Sequence, residues 1–474
     1  MRTFVLSLAL LAVPVAVEAA DAPKNVIVMI ADGAGYNTLA ATRYYLGRDL
    51  VADGAEWQKA AMATYSLRLD AEPMGTAQDP DLVYSSAEAW DATPVAGEAK
   101  CKPGFEAGFQ GYEWERCTAP DSANTMSNMM TGVRSYNGAI NVDGKAKSVL
   151  SASEVAQASG RRVGAMSSVP WTHATPASGG GAHNPDRNNY HAIAREMLTA
   201  STLDFIGGGG NPDFDGDGRP VAADAPDSRF GFVSAEDWAA LKAGTSGWTL
   251  VEDLSAIDAL AATPAEGRVI VVPKVAATLQ AQRTPASGVD PRTAPPGATA
   301  KTPNLPTLPS MTRAALAQMQ GDDDGMFLVV EGGAVDWALH ANSLGRAIEE
   351  YSDFDAAVRA VVHWVETPGN GSDWSNTLVI VTADHDHMLF GPDTSVPFQP
   401  VEDRGIGQLP GHSWWSNSHS NQLVPFFVRG AGADAFAAAA DRDDVAEVEG
   451  KSVGRGRYLT QSDMGRLLVD LLKK

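Results

Sequence analysis

The sequence predicts an α/β fold in which a central, mostly parallel sheet carries helices on both faces. Three runs carry that expectation. Residues 25–31 (NVIVMIA), 326–330 (MFLVV) and 377–383 (TLVIVTA) are apolar without polar alternation, as strands buried on both faces of a parallel sheet are. Each runs straight into an acid: Asp32, Glu331 and Asp384. Helical stretches lie between the strands, and that alternation is the mark of crossover units. Ligands in such folds bind beyond the carboxyl ends of the strands. Three acids from distant parts of the chain are therefore expected to meet at one sheet edge.

The elements follow in chain order. Residues 1–20 read as a secretory signal, with Arg2 as the positive start, residues 4–17 as the apolar stretch and Ala19 or Ala20 before the cleavage point. That stretch is too short for a mature span, and no later run reaches the roughly 18 unbroken apolar residues a membrane helix needs. The mature chain is expected to cover 21–474 as one domain with insertions, periplasmic or secreted. After the first strand, residues 66–118 look like an insertion with many acids, several aromatics and little periodicity. They hold Cys101 and Cys117, the only cysteines. In an oxidising compartment a disulfide is the expected use, since a two-cysteine metal site would lack a nearby His or Cys partner. Closing that loop would contribute roughly 3 kcal/mol on the entropic account. Helices are expected at 125–133, 151–159 and 191–198, with a strand at 162–169. A strand at 268–272 precedes a second insertion, 281–310, rich in Pro, Thr and Ala. Helices at 311–319 and 337–364 flank the strand ending at Glu331, and residues 423–428 give a late strand.

Charge narrows the function. The 474 residues include 36 Lys and Arg against 58 Asp and Glu, a net charge of -22. Such a surface repels phosphate backbones, which argues against nucleic-acid binding. An anionic substrate would need a local positive centre, such as a metal, to reverse the field.

Only nine histidines occur, so their placement is informative. His340 lies four residues after Asp336 on an expected helix, which puts both side chains on one face. His385 follows Asp384 at a strand end, and His387 comes two residues later. His419 falls in a Ser- and Asn-rich stretch, expected as a loop. Carboxylate with imidazole suits zinc, whereas carboxylate with hydroxyl suits magnesium. Ser122 sits where a loop enters a helix. There a serine can be a plain cap, or it can face an anion as a nucleophile whose hydroxyl a neighbouring metal acidifies. Asp213, Asp215 and Asp217, with Asp224 at the twelfth position, look like the start of a calcium loop. The usual Glu is missing, so an ion-free acidic turn is the competing reading.

Taken together, these motifs resemble the alkaline phosphatase family. The resemblance is carried by 26–35 (VIVMIADGAG), Asp121-Ser122-Ala123, 131–139 (TGVRSYNGA), 173–177 (HATPA), 182–187 (AHNPDR), 331–340 (EGGAVDWALH), 382–387 (TADHDH) and 418–420 (SHS). They occur in family order over nearly the whole mature chain. The resemblance implies two zinc ions and one magnesium ion per chain, with calcium a further candidate at the acidic turn. Asp336, His340 and His419 would hold the first zinc. Asp32, Asp384 and His385 would hold the second, beside the nucleophile Ser122. Asp32, Thr175 and Glu331 would bind magnesium. Arg187 would clamp two phosphate oxygens, oriented by Asp121. His173, Trp337 and His387 would stand behind the ligands, and the His173/Trp337 pair resembles bacterial members with fast turnover and weaker metal retention.

The activity so implied is hydrolysis of small-molecule phosphate monoesters at alkaline pH through a phosphoserine, in a homodimer. Three alternatives remain. A sulfatase on the same scaffold would need a Cys- or Ser-x-Pro-x-Arg segment, which residues 122–126 (SANTM) are not. A phosphodiesterase needs room for a second ester substituent. A non-catalytic phosphate- or metal-binding protein needs no nucleophile.

Overall fold

The computed structural model describes residues 22–93, 111–200, 202–222, 224–448 and 450–473. The strands are β1 (Asn25–Ile30), β2 (Gln58–Ala63), β3 (Arg162–Pro170), β4 (Phe205–Gly209), β5 (Trp248–Val251), β6 (Arg268–Val271), β7 (Met326–Glu331), β8 (Thr377–Thr382), β9 (Asp386–Phe390), β10 (Ser413–Ser420), β11 (Val424–Gly430), β12 (Arg442–Val448) and β13 (Lys451–Thr460). Among the described residues, eleven of them form one sheet in the order β12-β13-β2-β11-β8-β1-β7-β3-β4-β6-β5. From β8 to β5 every neighbouring pair is parallel. β11 runs antiparallel to β2 and β8, and β9 and β10 pair apart from the main sheet.

β1, β7 and β8 are buried along their whole length, as unbroken apolar runs require. Their register places the acids. Ile30 lies beside Glu331 on one side and Thr382 on the other. Asp32 and Asp384 each stand two residues beyond that pairing, and Glu331 closes its own strand. The three therefore share the carboxyl edge of three adjacent strands.

Several elements differ from the sequence expectation. The helix expected at 125–133 is Ser122–Thr131. Asp121 caps it by accepting from the Asn124 backbone N–H at 3.0 Å, and Gly132 at φ 70° ends it. The stretch 337–364 is two helices, Ala334–His340 and Leu344–Glu366, because Asn342 takes a left-handed φ of 50°. The helix expected from 311 starts at Leu308, inside the supposed insertion, where Thr307 caps it by accepting from Ser310. His419 lies on β10 rather than in a loop. β4, whose sequence FIGGG conceals a strand, needs its glycines for close packing: a Cβ on Gly209 would stand 1.7 Å from the Ala277 carbonyl oxygen.

The described part of 66–118 packs on the outer sheet. The Tyr84 hydroxyl donates to Asp444 at 2.9 Å, and its ring lies 5.4 Å from Tyr458. The 1–20 leader and the Cys101–Cys117 pairing fall outside the described residues. No described helix is long and apolar enough to cross a membrane.

Candidate active site

Two clusters meet at the carboxyl edge of the sheet. The first gathers Asp336, His340, His387 and His419, and the second Asp32, Asp384 and His385. Helix Ala334–His340 starts just past β7 and presents Asp336 and His340 one turn apart. β9 and β10 supply His387 and His419, which face each other across the pair.

In the first cluster three electron-pair donors face one point. His340 and His419 each direct Nδ1 at a backbone carbonyl, of Asn417 at 2.6 Å and of Pro120 at 2.8 Å. A carbonyl oxygen only accepts, so the hydrogen sits on Nδ1 and each Nε2 keeps its lone pair. Those two Nε2 atoms are 3.0 Å apart, and Asp336 Oδ1 is 3.4 Å from each. A shared cation relieves such an arrangement. His387 donates to the same Asp336 oxygen at 2.7 Å. Burial opposes ionisation of Asp336, yet the imidazoles around it hold its carboxyl well below the ordinary range.

In the second cluster His385 Nε2 is 3.3 Å from each of Asp32 Oδ1, Asp384 Oδ2 and Ser122 Oγ. Asp384 accepts from the Gly33 N–H at 3.0 Å, which fixes one oxygen and leaves the other toward the cluster. Both oxygens of Asp32 are fully buried without a hydrogen-bond partner. Burial, then the neighbouring Asp384, Asp336 and Glu331, push its pKa well up. A buried carboxylate left in that state is costly unless a cation neutralises it. The His385 and His419 rings stack with centroids 3.5 Å apart, joining the two clusters.

Beside Asp32 lies an oxygen-rich set. Glu331 Oε1 and Thr175 Oγ1 are both buried and unpartnered, while Ser167 donates to Glu331 Oε2. These oxygen donors fit a hard cation such as magnesium, and the mixed nitrogen and oxygen sets fit zinc.

Ser122 opens helix Ser122–Thr131 and is 2% exposed. On the other side Arg187 donates to Asp121 Oδ2 at 2.9 Å. Asp121 Oδ1 accepts from the backbone N–H groups of Gly138 and Asn124. Burial alone would raise the Asp121 pKa, but Arg187 and these N–H groups hold it below the usual range. His173 Nε2 is 3.5 Å from Arg187 Nη2, and its ring meets Trp337 edge-on at 5.5 Å.

The remaining candidates do not join this cluster. Asp213 accepts from Trp238 and ion-pairs with Arg229 and Lys242. Asp215 accepts from the N–H groups of Asp217 and Arg219, and Asp217 takes Arg219 and Thr284. These carboxylates accept from donors within the protein. Sequence reasoning missed Ser167, which stands beside Glu331 only through the β3–β7 register. It also missed Thr125, whose hydroxyl lies 3.4 Å from Asp384 one helical turn after Ser122.

Comparison with known proteins points the same way. A family model described as alkaline phosphatase matches residues 107–403. Alkaline phosphatase 3 of Bacillus subtilis is 28% identical over 270 residues, 56% of this chain and 48% of that protein. The match to the first two curated relatives thus spans about half their length. The alkaline phosphatase of Escherichia coli is 27% identical over 406 residues, covering 79% and 73%. Among solved structures, an alkaline phosphatase from the Antarctic bacterium TAB5 superposes with TM-score 0.59 at 20% identity, covering 96% of this chain and 99% of its own. A cold-active alkaline phosphatase from a psychrophilic Shewanella gives 0.61 at 20%, covering 95% and 100%. These likenesses establish a shared fold.

Proposed function

This chain belongs to the alkaline phosphatase family, and we propose that it hydrolyses phosphate monoesters through a phosphoserine formed on Ser122. The observation that carries the reading is the position of that hydroxyl, 3.3 Å from His385 Nε2 at a capped helix N-terminus beside the unpartnered Asp32. Arg187, held by Asp121, offers paired N–H donors to two phosphate oxygens. The first backbone N–H groups of helix Ser122–Thr131 add further positive character. Ser122 Oγ forms a bond to phosphorus as the bond to the leaving alcohol breaks on the far side. Water then displaces Ser122 Oγ in the same sense and releases inorganic phosphate.

Asp336, His340 and His419 would hold one zinc, Asp32, Asp384 and His385 the other, and Asp32, Thr175 and Glu331 magnesium. When bound, these ions supply neutralisation of developing charge and a lowered pKa for the attacking hydroxyl. Asp32, with both oxygens available, is suited to bridge two of these sets.

Initial rates with 4-nitrophenyl phosphate at alkaline pH test the proposal, before chelation and after zinc and magnesium are restored. Chelation should abolish turnover and the metals should restore it. Ser122→Ala should lower kcat by on the order of a thousandfold or more. A metal-loaded protein that turns over diesters or sulfate esters instead would overturn the monoesterase reading. Substrate binding without turnover would point to a binding protein.

A further inference from the structure

Arg187 lies in neither of the helices that flank it, Ala174–Gly179 and Tyr190–Thr199, so its place is set by other contacts. The segment that carries it, 182–187, runs antiparallel to residues 136–141, and hydrogen bonds lace the two together. Ile140 and Asn184 exchange both backbone hydrogen bonds at 2.9 Å. The Arg187 N–H donates to the Gly138 carbonyl at 2.8 Å, and the Tyr136 hydroxyl donates to the Pro185 carbonyl at 3.0 Å. Gly138 also reaches the side-chain end, because its N–H donates to Asp121, which holds the Arg187 guanidinium.

One side chain closes the far end of this lacing. Asn141 is fully buried and takes a left-handed φ of 44°. Its Nδ2 donates at 2.9 Å to two carbonyls, of Ser178 and Ala182. These stand on either side of residues 179–181 (GGG), which lead from helix Ala174–Gly179 into the Arg187 segment. Two carbonyl partners fix the amide orientation, since neither has a hydrogen to offer Oδ1. The Asn141 N–H donates to Ser127 Oγ at 2.8 Å, and that hydroxyl donates to the Ala139 carbonyl at 2.9 Å. Ser127 stands on helix Ser122–Thr131, whose first residue is the candidate nucleophile. Asn141 therefore joins the segment bearing Arg187 to the helix bearing Ser122.

The backbone conformation alone does not call for asparagine. Glycine would adopt it at no steric cost, whereas a buried asparagine must offset its strain and desolvation through the bonds it makes. Both side-chain bonds run to the stretch of chain that leads into Arg187.

Resting on the phosphomonoesterase reading, we propose that Asn141 is a positioning residue for Arg187. It locks 182–187 onto helix Ser122–Thr131, so that the guanidinium and the Ser122 hydroxyl keep one spacing about the same phosphate.

The test is a double-mutant cycle on the metal-loaded protein, with Asn141→Gly and Arg187→Ala alone and combined. Asn141→Gly keeps the left-handed backbone and deletes both amide donors. It should raise KM for 4-nitrophenyl phosphate and the inhibition constant of inorganic phosphate together by about tenfold, with kcat moving less. In the Arg187→Ala background the same substitution should cost less than about twofold, because the group it positions is gone. Ser127→Ala removes the anchor on the helix with a residue that suits a helix interior. It should shift both constants the same way, again only while Arg187 is present. If Asn141→Gly does not fold by circular dichroism, Ser127→Ala decides by the same comparison. Equal losses with and without Arg187, or unchanged constants in the folded variants, would overturn the positioning role and leave the phosphomonoesterase reading intact. A metal-loaded wild type that neither turns over the ester nor is inhibited by phosphate would overturn that reading, and the positioning role with it.

Discussion

His387 fixes the geometry of Asp336 from a fully enclosed position. It donates to Asp336 Oδ1, the oxygen that also faces His340 and His419. Losing that donor frees the carboxylate to rotate and leaves a buried void. His387→Ala should weaken zinc retention about 10- to 100-fold, the usual cost of removing a partner that orients a ligand. Competition with a chromogenic chelator measures it, and wild-type affinity in the variant would remove His387 from the set of positioning residues. At this scale much of the candidate site was legible. Asp32, Glu331 and Asp384 announced themselves at the ends of apolar runs, and Asp336 with His340 by helical spacing. Thr175 and Arg187 were reached only through family motifs. Ser167 and Thr125 were not found, because their approach to Glu331 and Asp384 depends on strand register and on how helix Ser122–Thr131 packs, neither of which leaves a local pattern.

Between residue and fold, the helical stretch after β7 is the instructive case. Its periodicity runs on from 337 to 364, yet the chain breaks at 341–343 so that helix Ala334–His340 stays over the sheet edge while Leu344–Glu366 packs along the core. Asn342 makes the break at φ 50°, a conformation that asparagine and glycine tolerate and branched residues do not. Asn342→Val should therefore lower stability by about 1–2 kcal/mol, and Asn342→Gly by much less, as read from denaturant unfolding. Equal losses in the two variants would show that the asparagine side chain, not the backbone, sets the break. The same contrast explains which elements could be read ahead of the structure. β1, β7 and β8 are buried on both faces and declare themselves by composition. β4 is concealed by glycines that its neighbours' backbones demand, and β10 (SWWSNSHS) is too polar to register as a strand. Helix Ser122–Thr131 starts three residues before the expected 125 because the Asp121 carboxylate caps it, accepting from the Asn124 backbone N–H.

Across the whole molecule, the fold draws carboxylates from three distant strand ends into one buried edge of a chain that already carries a net charge of -22. That convergence opposes folding unless cations are present, and its pH dependence has a definite sign. Burial, and then the neighbouring acids, lift Asp32 above its ordinary range, and burial lifts Asp384 against the hydrogen bond from the Gly33 N–H. Burial likewise lifts Glu331 to about 7, against the hydrogen bond from Ser167. A carboxyl whose folded pKa is raised favours folding fully below its unfolded value, and that contribution is lost as pH rises through the folded value. These three carboxyls should therefore withdraw stability from the metal-free protein between roughly pH 4.5 and 7, while the depressed Asp336 acts in the opposite sense at lower pH. Metal ions need the deprotonated ligands, so the loaded protein gains over the same window. The difference in Tm between loaded and stripped protein should accordingly widen from about pH 5 to about pH 8. Paired thermal scans with and without zinc and magnesium measure it. A difference that stays constant, or narrows with rising pH, would mean that these carboxylates are not where the ions bind.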